Sequence, residues 1–247
     1  MSGLRLALAS LMFIAVLVLL PAHAAMQGAS PVANPETFGP VVTNPYFPLA
    51  SVRYKEYAGE ETDPDTGETI LTRVEETVLA ETAEVAGVEV AVVEVKEYED
   101  DELVELTHDY YAQDADGAVY YLGETVDDYE EGEVVGHSGA WLAGEGENQP
   151  GLFMLPDPHV GQVFEQERAP GIAEDISTVI AVDQAITTPA GQFSGCLKTE
   201  DVNPLDDETE NKYYCPGVGV VREVAEGGFL DLIHFEEGPA ATPTAAS

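Results

Sequence analysis

The stretch that decides the fold is residues 176–217, ISTVIAVDQAITTPAGQFSGCLKTEDVNPLDDETENKYYCPG. Runs rich in Val, Ile, Thr and Tyr alternate here with two turn signals, Pro189-Ala190-Gly191 and Asn203-Pro204. Short runs of this composition, bounded by Gly, Pro, Asn and Asp, are typical of antiparallel strands joined by tight turns. In the first run, alternation predicts one core-facing set: Ile176, Thr178, Ile180, Val182 and Ile186.

The two cysteines of the chain, Cys196 and Cys215, flank the turn at Asn203-Pro204 and are centred on it. Residues equally distant from a hairpin turn face each other on neighbouring strands. An even pair of cysteines in an exported protein is far more often a structural disulfide than a metal or redox site, and the spacing does not fit a CxxC motif. We therefore predict a disulfide between Cys196 and Cys215.

Three short motifs within residues 48–125 recur in the same order within residues 158–235. The pairs are Pro48-x-x-Ser51-x-x-Tyr54 with Pro158-x-x-Gly161-x-x-Phe164, Glu84–Gly87 with Thr188–Gly191, and Asp109–Ala112 with Lys212–Cys215. Ordered recurrence of this kind is typical of repeated supersecondary units. The sequence therefore predicts an all-β fold in which two pseudo-repeated halves form an antiparallel sandwich or a strongly curved, open barrel.

This single β domain is predicted over residues 44–237, between two segments without strand patterns. Arg5 precedes the apolar run Leu6–Leu20, and Pro21 and Ala22-His23-Ala24 follow it, which is the pattern of a signal peptide over residues 1–24. The apolar run is short for a bilayer span of about 20 residues, and an uncleaved anchor is the alternative. Residues 25–43 are predicted as a linker and residues 238–247 as a disordered tail. We expect a periplasmic or extracellular protein without a stable membrane span after cleavage.

The chain is very acidic, with 47 Asp and Glu residues against 9 Lys and Arg residues and a formal net charge of −38. Such a charge excludes a nucleic-acid-binding protein, because phosphate contacts need Lys and Arg. A hydrophobic content of 45% predicts a folded core rather than a disordered chain. The acids are therefore expected on the surface, either as a solvated coat or as a surface that binds divalent cations such as calcium.

Motifs for metal binding or catalysis are weakly developed. Asp114-Ala115-Asp116-Gly117 supplies closely spaced carboxylates, but an EF-hand frame would place Ala112 and Gly123 at ligand positions. A hairpin turn is favoured there, and a looser calcium site with Asp114 and Asp116 is the alternative. Gly136-His137-Ser138-Gly139 lacks the second glycine of a nucleophile elbow. A carboxylate pair for glycoside hydrolysis cannot be recognised among so many acids without geometry.

The connection between the two predicted halves, residues 137–159, contains the only tryptophan of the chain and an apolar run before Pro156. A connection of this length without regular structure is usually functional when it belongs to a compact domain. We expect it to cover an open face or edge of the sheet, with a ligand lid as the alternative. The candidate ligand-binding residues in and after the connection are His137, Trp141, Met154, Gln166 and Glu167.

Several motifs carry a resemblance that extends over nearly all of the predicted mature chain. They are Asn44–Leu49 (NPYFPL), Asp109–Asp114 (DYYAQD), Gly151–Pro156 (GLFMLP), Gly161-x-x-Phe164-x-Gln166-Glu167 and Lys212-Tyr213-Tyr214-x-Pro216-Gly217-Val218-Gly219. In their order the chain resembles a group of secreted, acidic, β-rich bacterial proteins that has no established activity. The resemblance implies export and a common β fold, and it transfers no site residues.

The sequence as a whole favours a secreted or periplasmic, non-catalytic binding or surface protein. Its ligand is expected to be small and apolar or cationic, held between the curved sheet and the connection. The alternatives are a secreted hydrolase with a carboxylate pair and an acidic protein that binds divalent cations. A binding cup requires an apolar concavity, whereas a hydrolase requires two convergent acids with separated pKa values.

Overall fold

The computed structural model describes residues 38–63, 66–205 and 208–238. The predicted signal peptide, residues 25–37 of the predicted linker and residues 239–247 of the predicted tail lie outside the described residues. Within the described ranges the chain forms fourteen strands and no helix, which confirms the all-β prediction. The strands are β1 (Val52–Thr62), β2 (Thr69–Val85), β3 (Val88–Glu99), β4 (Glu102–Gln113), β5 (Val119–Glu130), β6 (Glu133–Gly136), β7 (Trp141–Leu142), β8 (Gly151–Met154), β9 (Val163–Glu165), β10 (Ile176–Thr188), β11 (Gly191–Asn203), β12 (Glu208–Cys215), β13 (Gly219–Ala225) and β14 (Gly228–Glu237).

One antiparallel sheet contains all fourteen strands, of which twelve follow the order β6-β5-β4-β3-β2-β1-β14-β13-β12-β11-β10-β9. Strands β1–β6 form one meander and strands β9–β14 form a second, so neighbours in the chain are neighbours in the sheet. The two meanders join where β1 pairs with β14. At this seam the backbones are close, because a Cβ on Gly59 would lie 1.7 Å from the carbonyl oxygen of Phe229. The internal repeat stays a prediction, and this strand order favours it.

The sheet is strongly curved and open. The short strands β7 and β8 both pair with the edge of β5 that is not occupied by β4. Strand β8 also lies beside β9, where the Gln149 N–H donates to the Arg168 carbonyl at 3.0 Å and Gln166 Nε2 donates to the Phe153 carbonyl at 3.1 Å. No ladder joins β8 to β9 within the described residues. The connection thus lines an edge of the sheet and brings the two ends of the curved sheet together.

Residues 38–43, which the sequence analysis assigned to the linker, pack against the domain. Gly39 forms a bridge with Gln113, and Val42 is fully buried. The Phe38 ring meets the Tyr120 ring edge-on, with 4.9 Å between the ring centroids. The packed domain therefore extends to Phe38 at least.

The predicted core-facing set of β10 was wrong in its first part. Ser177 and Val179 face the core with 0% and 1% exposure, whereas Ile180 is 36% exposed. Register shifts between Val179 and Ala181, between Ala181 and Gln184 and between Gln184 and Ile186 interrupt the two-residue alternation. The alternation changes face across these shifts, and Val182 and Ile186 pack against the core as predicted.

The predicted disulfide is confirmed: Cys196 on β11 is bonded to Cys215 on β12. Both residues are buried and lie next to the register pair Leu197 and Tyr214. The bond therefore fixes the hairpin that β11 and β12 form within residues 176–217.

Removal of the disulfide should destabilise the domain. The sequence separation of 19 residues between Cys196 and Cys215 corresponds to about 3 kcal/mol of chain entropy. We expect the double variant Cys196→Ala, Cys215→Ala to lose about that free energy of unfolding in urea titrations. Wild type unfolded with a reductant should match the variant, and a variant as stable as the oxidised wild type would contradict the prediction.

Gly123 should be required for the docking of β7 on β5. Its φ is +114°, and a Cβ there would lie 2.1 Å from the carbonyl oxygen of Trp141. Gly123→Ala should cost about 1–2 kcal/mol from the left-handed backbone and about 1–3 kcal/mol from the clash. The displaced Trp141 should then show red-shifted fluorescence. Gly132→Ala, at φ +79° with nothing within 4 Å, is the matched control and should keep the wild-type emission.

Candidate functional site

A cavity of about 160 Å³ lies on the concave side of the curved sheet. Its walls come from both meanders, with Phe153 and Gly139 of the connection and Phe47 completing the lining. Gly139 and Ile172, which are partly exposed, mark the side on which the cavity meets solvent. A cavity of roughly 150 Å³ accommodates a benzene-sized molecule, whereas drug-sized ligands occupy roughly 300 Å³ or more. The cavity thus fits a small molecule.

Carboxylic acids dominate the polar part of the lining. Seven of them face the cavity, together with one ammonium group, that of Lys212: Glu76, Asp109, Glu124, Glu167, Asp175, Glu210 and Glu223. The expectation that the acids lie on the surface is therefore corrected for these residues. An inward-facing acid on a half-buried strand produces the same two-residue alternation as an outward-facing one, so composition alone does not separate the two cases.

Three of these acids, Asp109, Glu124 and Glu167, form what we call the acidic trio. Burial raises the pKa of Asp109 to about 7 and that of Glu167 to about 8, and it raises the pKa of Glu124 well above its usual value. The members also act on one another, because Asp109 and Glu167 raise the pKa of Glu124 further. Within the described residues, none of the trio forms an ion pair with Lys or Arg.

Neutral hydroxyl groups and the Trp141 indole lie beside the carboxylates of the trio. Thr107 Oγ1 donates to Asp109 Oδ1 at 2.9 Å, and Tyr111 Oη lies 3.5 Å from Asp109 Oδ2. The Tyr121 hydroxyl acts on both Asp109 and Glu124 and opposes the rise in their pKa values. The Trp141 indole does the same for Glu167. These neutral donors only partly offset the burial of the carboxylates, so all three pKa values stay raised.

The opposite wall of the cavity carries its own cation. Lys212 Nζ lies 2.8 Å from Glu210 Oε1 and 3.9 Å from Asp201 Oδ2. Burial lowers the pKa of Lys212, but the carboxylates of Glu210 and Glu223 outweigh it and hold the pKa well above its usual value. Burial also raises the pKa of Asp201 to about 6, against the effect of Lys212. On this wall one ammonium group lies among several carboxylates, and burial still raises the pKa of Glu223 to about 8.

Four rings form an aromatic wall beside the acidic trio: Phe47, Tyr111, Tyr121 and Phe153. The centroid of Tyr111 lies 4.8 Å from those of Phe47 and Tyr121 and 4.9 Å from that of Phe153. Trp141 packs edge-on against Tyr121 from outside this group, at 5.5 Å. The wall provides an apolar surface directly next to the carboxylates, since the hydroxyl groups of Tyr111 and Tyr121 lie beside carboxylates of the trio.

The structure brings some of the predicted ligand-binding residues together and separates others. Gln166 and Glu167 line the cavity, and buried Trp141 lies beside Glu167. Met154 is fully buried and pairs with Val119 on β5. His137 is exposed, with Nδ1 2.7 Å from the Val126 carbonyl oxygen, and does not line the cavity.

Sequence reasoning missed Asp109 and Glu124, the members of the trio on β4 and β5. The available signal was the alternation Thr107-x-Asp109-x-Tyr111, which places all three on one face of a strand. In the sequence, the motif Asp109-Tyr110-Tyr111 indicates the internal repeat and gives no direct sign of a buried acid.

The candidate calcium residues cap a turn. Asp114 Oδ1 accepts hydrogen bonds from the backbone N–H groups of Asp116 at 3.0 Å and Ala118 at 2.9 Å. These bonds hold the hairpin between β4 and β5, in the manner typical of Asp in tight turns. Across the described ranges, no group of three His, Cys, Asp or Glu side chains is arranged to hold a metal ion.

The chain matches no protein-family model and no curated protein. It is similar to a crystal structure of a putative lipoprotein from Parabacteroides distasonis, at 13% sequence identity and a TM-score of 0.40, over 77% of this chain and 98% of that one. A similarity of this size transfers no function. Within the described residues, no helix is long and apolar enough to span a membrane.

The buried trio should make the stability of the free protein depend on pH. Because the pKa of Glu167 rises from 4.5 to about 8 on folding, the folded state holds its proton more tightly between these values. This contribution to stability is complete below about pH 4.5 and is lost as the pH rises through 8. We expect the free energy of unfolding to fall between pH 5 and pH 8, on the order of 1–3 kcal/mol of it from Glu167.

Urea titrations of wild type and Glu167→Gln in 1 M NaCl, which screens the surface charge, should measure this contribution. The variant should show a smaller fall, whereas Glu147→Gln, an exposed acid of the connection, should behave like wild type. Equal pH dependence in Glu167→Gln and wild type would contradict the assignment.

Proposed function

We propose that this chain is a non-catalytic binding protein that holds a small organic cation in its interior cavity. The observation that carries the proposal is the acidic trio: three buried carboxylates that share a cavity and have no Lys or Arg ion-pair partner within the described residues.

The physical argument is the cost of buried charge. An ionised carboxylate in a desolvated place is expensive unless it is paired, and it otherwise takes up a proton. The raised pKa values of Asp109 and Glu167 indicate that these acids hold protons in the free protein. A bound cation is the other way to neutralise a buried carboxylate, and Lys212 does this for Glu210 on the opposite wall. A cation that reaches the trio should therefore be bound with ionisation of the acids.

The ligand also needs an apolar part. The aromatic wall adjoins the trio and offers ring surface that a purely inorganic ion would leave uncovered. Ligand sites commonly combine such apolar surface with a few convergent polar groups. The cavity volume of about 160 Å³ restricts the ligand to a small molecule.

The alternative functions have less support. A hydrolase with a carboxylate pair needs one acid kept protonated and another kept ionised, whereas all three pKa values of the trio are raised. A divalent-cation site would need several ligands close enough to coordinate one ion, and no group of three His, Cys, Asp or Glu side chains among the described residues is arranged to hold a metal ion.

We place this binding activity outside the cytoplasm. The disulfide between Cys196 and Cys215 supports the placement, because such bonds persist in oxidising compartments. The predicted signal peptide supports it independently. Export to the periplasm or the medium therefore belongs to the proposal.

Binding can be tested with four compounds that carry a four-carbon chain: the cations butylamine and butyltrimethylammonium, neutral butanol and anionic butyrate. At pH 8 and 0.5 M NaCl, at least one cation should change the emission of Trp141, which adjoins the trio, and raise the melting temperature. Butyrate should do neither.

Asp109→Asn should weaken cation binding at least about tenfold, the equivalent of 1.4 kcal/mol, and Glu147→Gln should not. Wild type that responds to neither cation at millimolar concentration would contradict the proposal, as would an Asp109→Asn variant that binds like wild type.

A further inference from the structure

The aromatic wall is closely packed and is not a cage. The centroids of Phe47 and Phe153 are 4.6 Å apart, and each lies within 4.9 Å of the Tyr111 centroid. A quaternary ammonium is bound by aromatic rings that surround it, each within roughly 6 Å of the charge. Rings in mutual contact leave no space between them for such a group. They present a surface on which an apolar body can lie.

Hydrogen-bond acceptors are the groups that the cavity offers to a charged head. Asp109, Glu124 and Glu167 line the cavity, and the groups beside their carboxylates are neutral: the Thr107 and Tyr121 hydroxyls and the Trp141 indole. A primary ammonium has three N–H donors and no acceptor, so it can donate hydrogen bonds to several carboxylates at once. A quaternary ammonium has no N–H donor and would leave these carboxylates without a hydrogen bond from the ligand.

A fully buried hydroxyl adds an independent indication of a ligand. Tyr214 has no solvent exposure and lines the cavity, yet its hydroxyl has no partner at hydrogen-bond distance within the described residues. Burial and Asp201 raise the pKa of this hydroxyl, whereas Lys212 and Gln166, which both line the cavity, oppose the rise. A buried polar group without a hydrogen-bond partner is costly, and a ligand in the cavity that Tyr214 lines would supply one.

Lys212 supplies an internal precedent for the chemistry. Its primary ammonium lies in the same cavity, 2.8 Å from Glu210 and 3.9 Å from Asp201. The opposite wall thus binds a primary ammonium through neighbouring carboxylates, whereas the acidic trio forms no ion pair with Lys or Arg within the described residues and Lys212 only lowers the pKa of Glu167 from a distance.

We propose that the ligand is a small primary amine, whose ammonium group is bound by Asp109, Glu124 and Glu167 while its short apolar body lies on the aromatic wall. This inference rests on the proposed function and narrows its ligand class. The cavity volume of about 160 Å³ limits the body to a butyl chain or a single ring.

The test is calorimetric titration of wild type with butylamine, butyltrimethylammonium and butanol at pH 8 in 0.5 M NaCl. Butylamine should bind with a stoichiometry of one and at least tenfold more tightly than either analogue. Comparison of ligands on the unaltered protein does not depend on the folding of any variant.

The outcomes separate this inference from the proposed function. Butyltrimethylammonium that binds as tightly as butylamine would overturn the primary-amine assignment and leave the cation-binding function standing. If neither cation binds, both are overturned. Butanol that binds as tightly as butylamine would show that the carboxylates do not recognise the head group, which also overturns both.

A variant locates the site on the trio. Glu124→Gln keeps the shape of a buried side chain and removes its charge, and it should weaken butylamine binding at least tenfold. Glu147→Gln removes one exposed charge and should leave binding unchanged. A Glu124→Gln protein with the wild-type melting profile and wild-type affinity would overturn the assignment to the trio.

Discussion

Carboxylates that are buried around the cavity have to be neutralised, and this constraint governs the interior of the protein. The chain meets it in different ways on its two walls. Lys212 on β12 places its ammonium group beside Glu210 of the same strand and near Asp201 of the neighbouring strand β11. Around the acidic trio, the carboxyl groups are neutralised by protonation and accept hydrogen bonds from neutral hydroxyl donors. Neutralisation by protons is reversible, because a cation can replace them, and this makes the trio a candidate binding site.

The topology creates this pair of walls. Asp109 and Glu124 belong to the first meander, Lys212 and Tyr214 belong to the second, and the pairing of β1 with β14 joins the two in one sheet. Curvature then brings the second meander opposite the first, and the connection along β5 adds Phe153 to the cavity. Glu167 follows β9, at the opposite end of the sheet from β5. The trio therefore exists only when the sheet is curved, so binding and folding are coupled through it.

Much of the fold follows from local patterns in the sequence. Turn signals and β-branched runs predict the strands, and the centred cysteines predict the bond across the β11–β12 hairpin. The core face of β10 was not predictable, since bulges after Val179 change the alternation and depend on pairing with β11. The sequence predicts only part of the candidate site. Glu167 and Trp141 were indicated by the unusual connection, but Asp109 was not, because an acid in an alternating strand usually faces solvent.

The central claim is that an amine replaces protons on buried carboxylates, and proton release on binding tests it most directly. Calorimetric titrations with butylamine at pH 7, in buffers of different ionisation enthalpy that contain no amine, give the number of protons released. With pKa values of about 7 for Asp109 and about 8 for Glu167 in the free protein, the account predicts release of about one proton or more per bound amine. Binding without proton release would contradict it, because the carboxylates would then have been ionised, or would have stayed protonated, throughout.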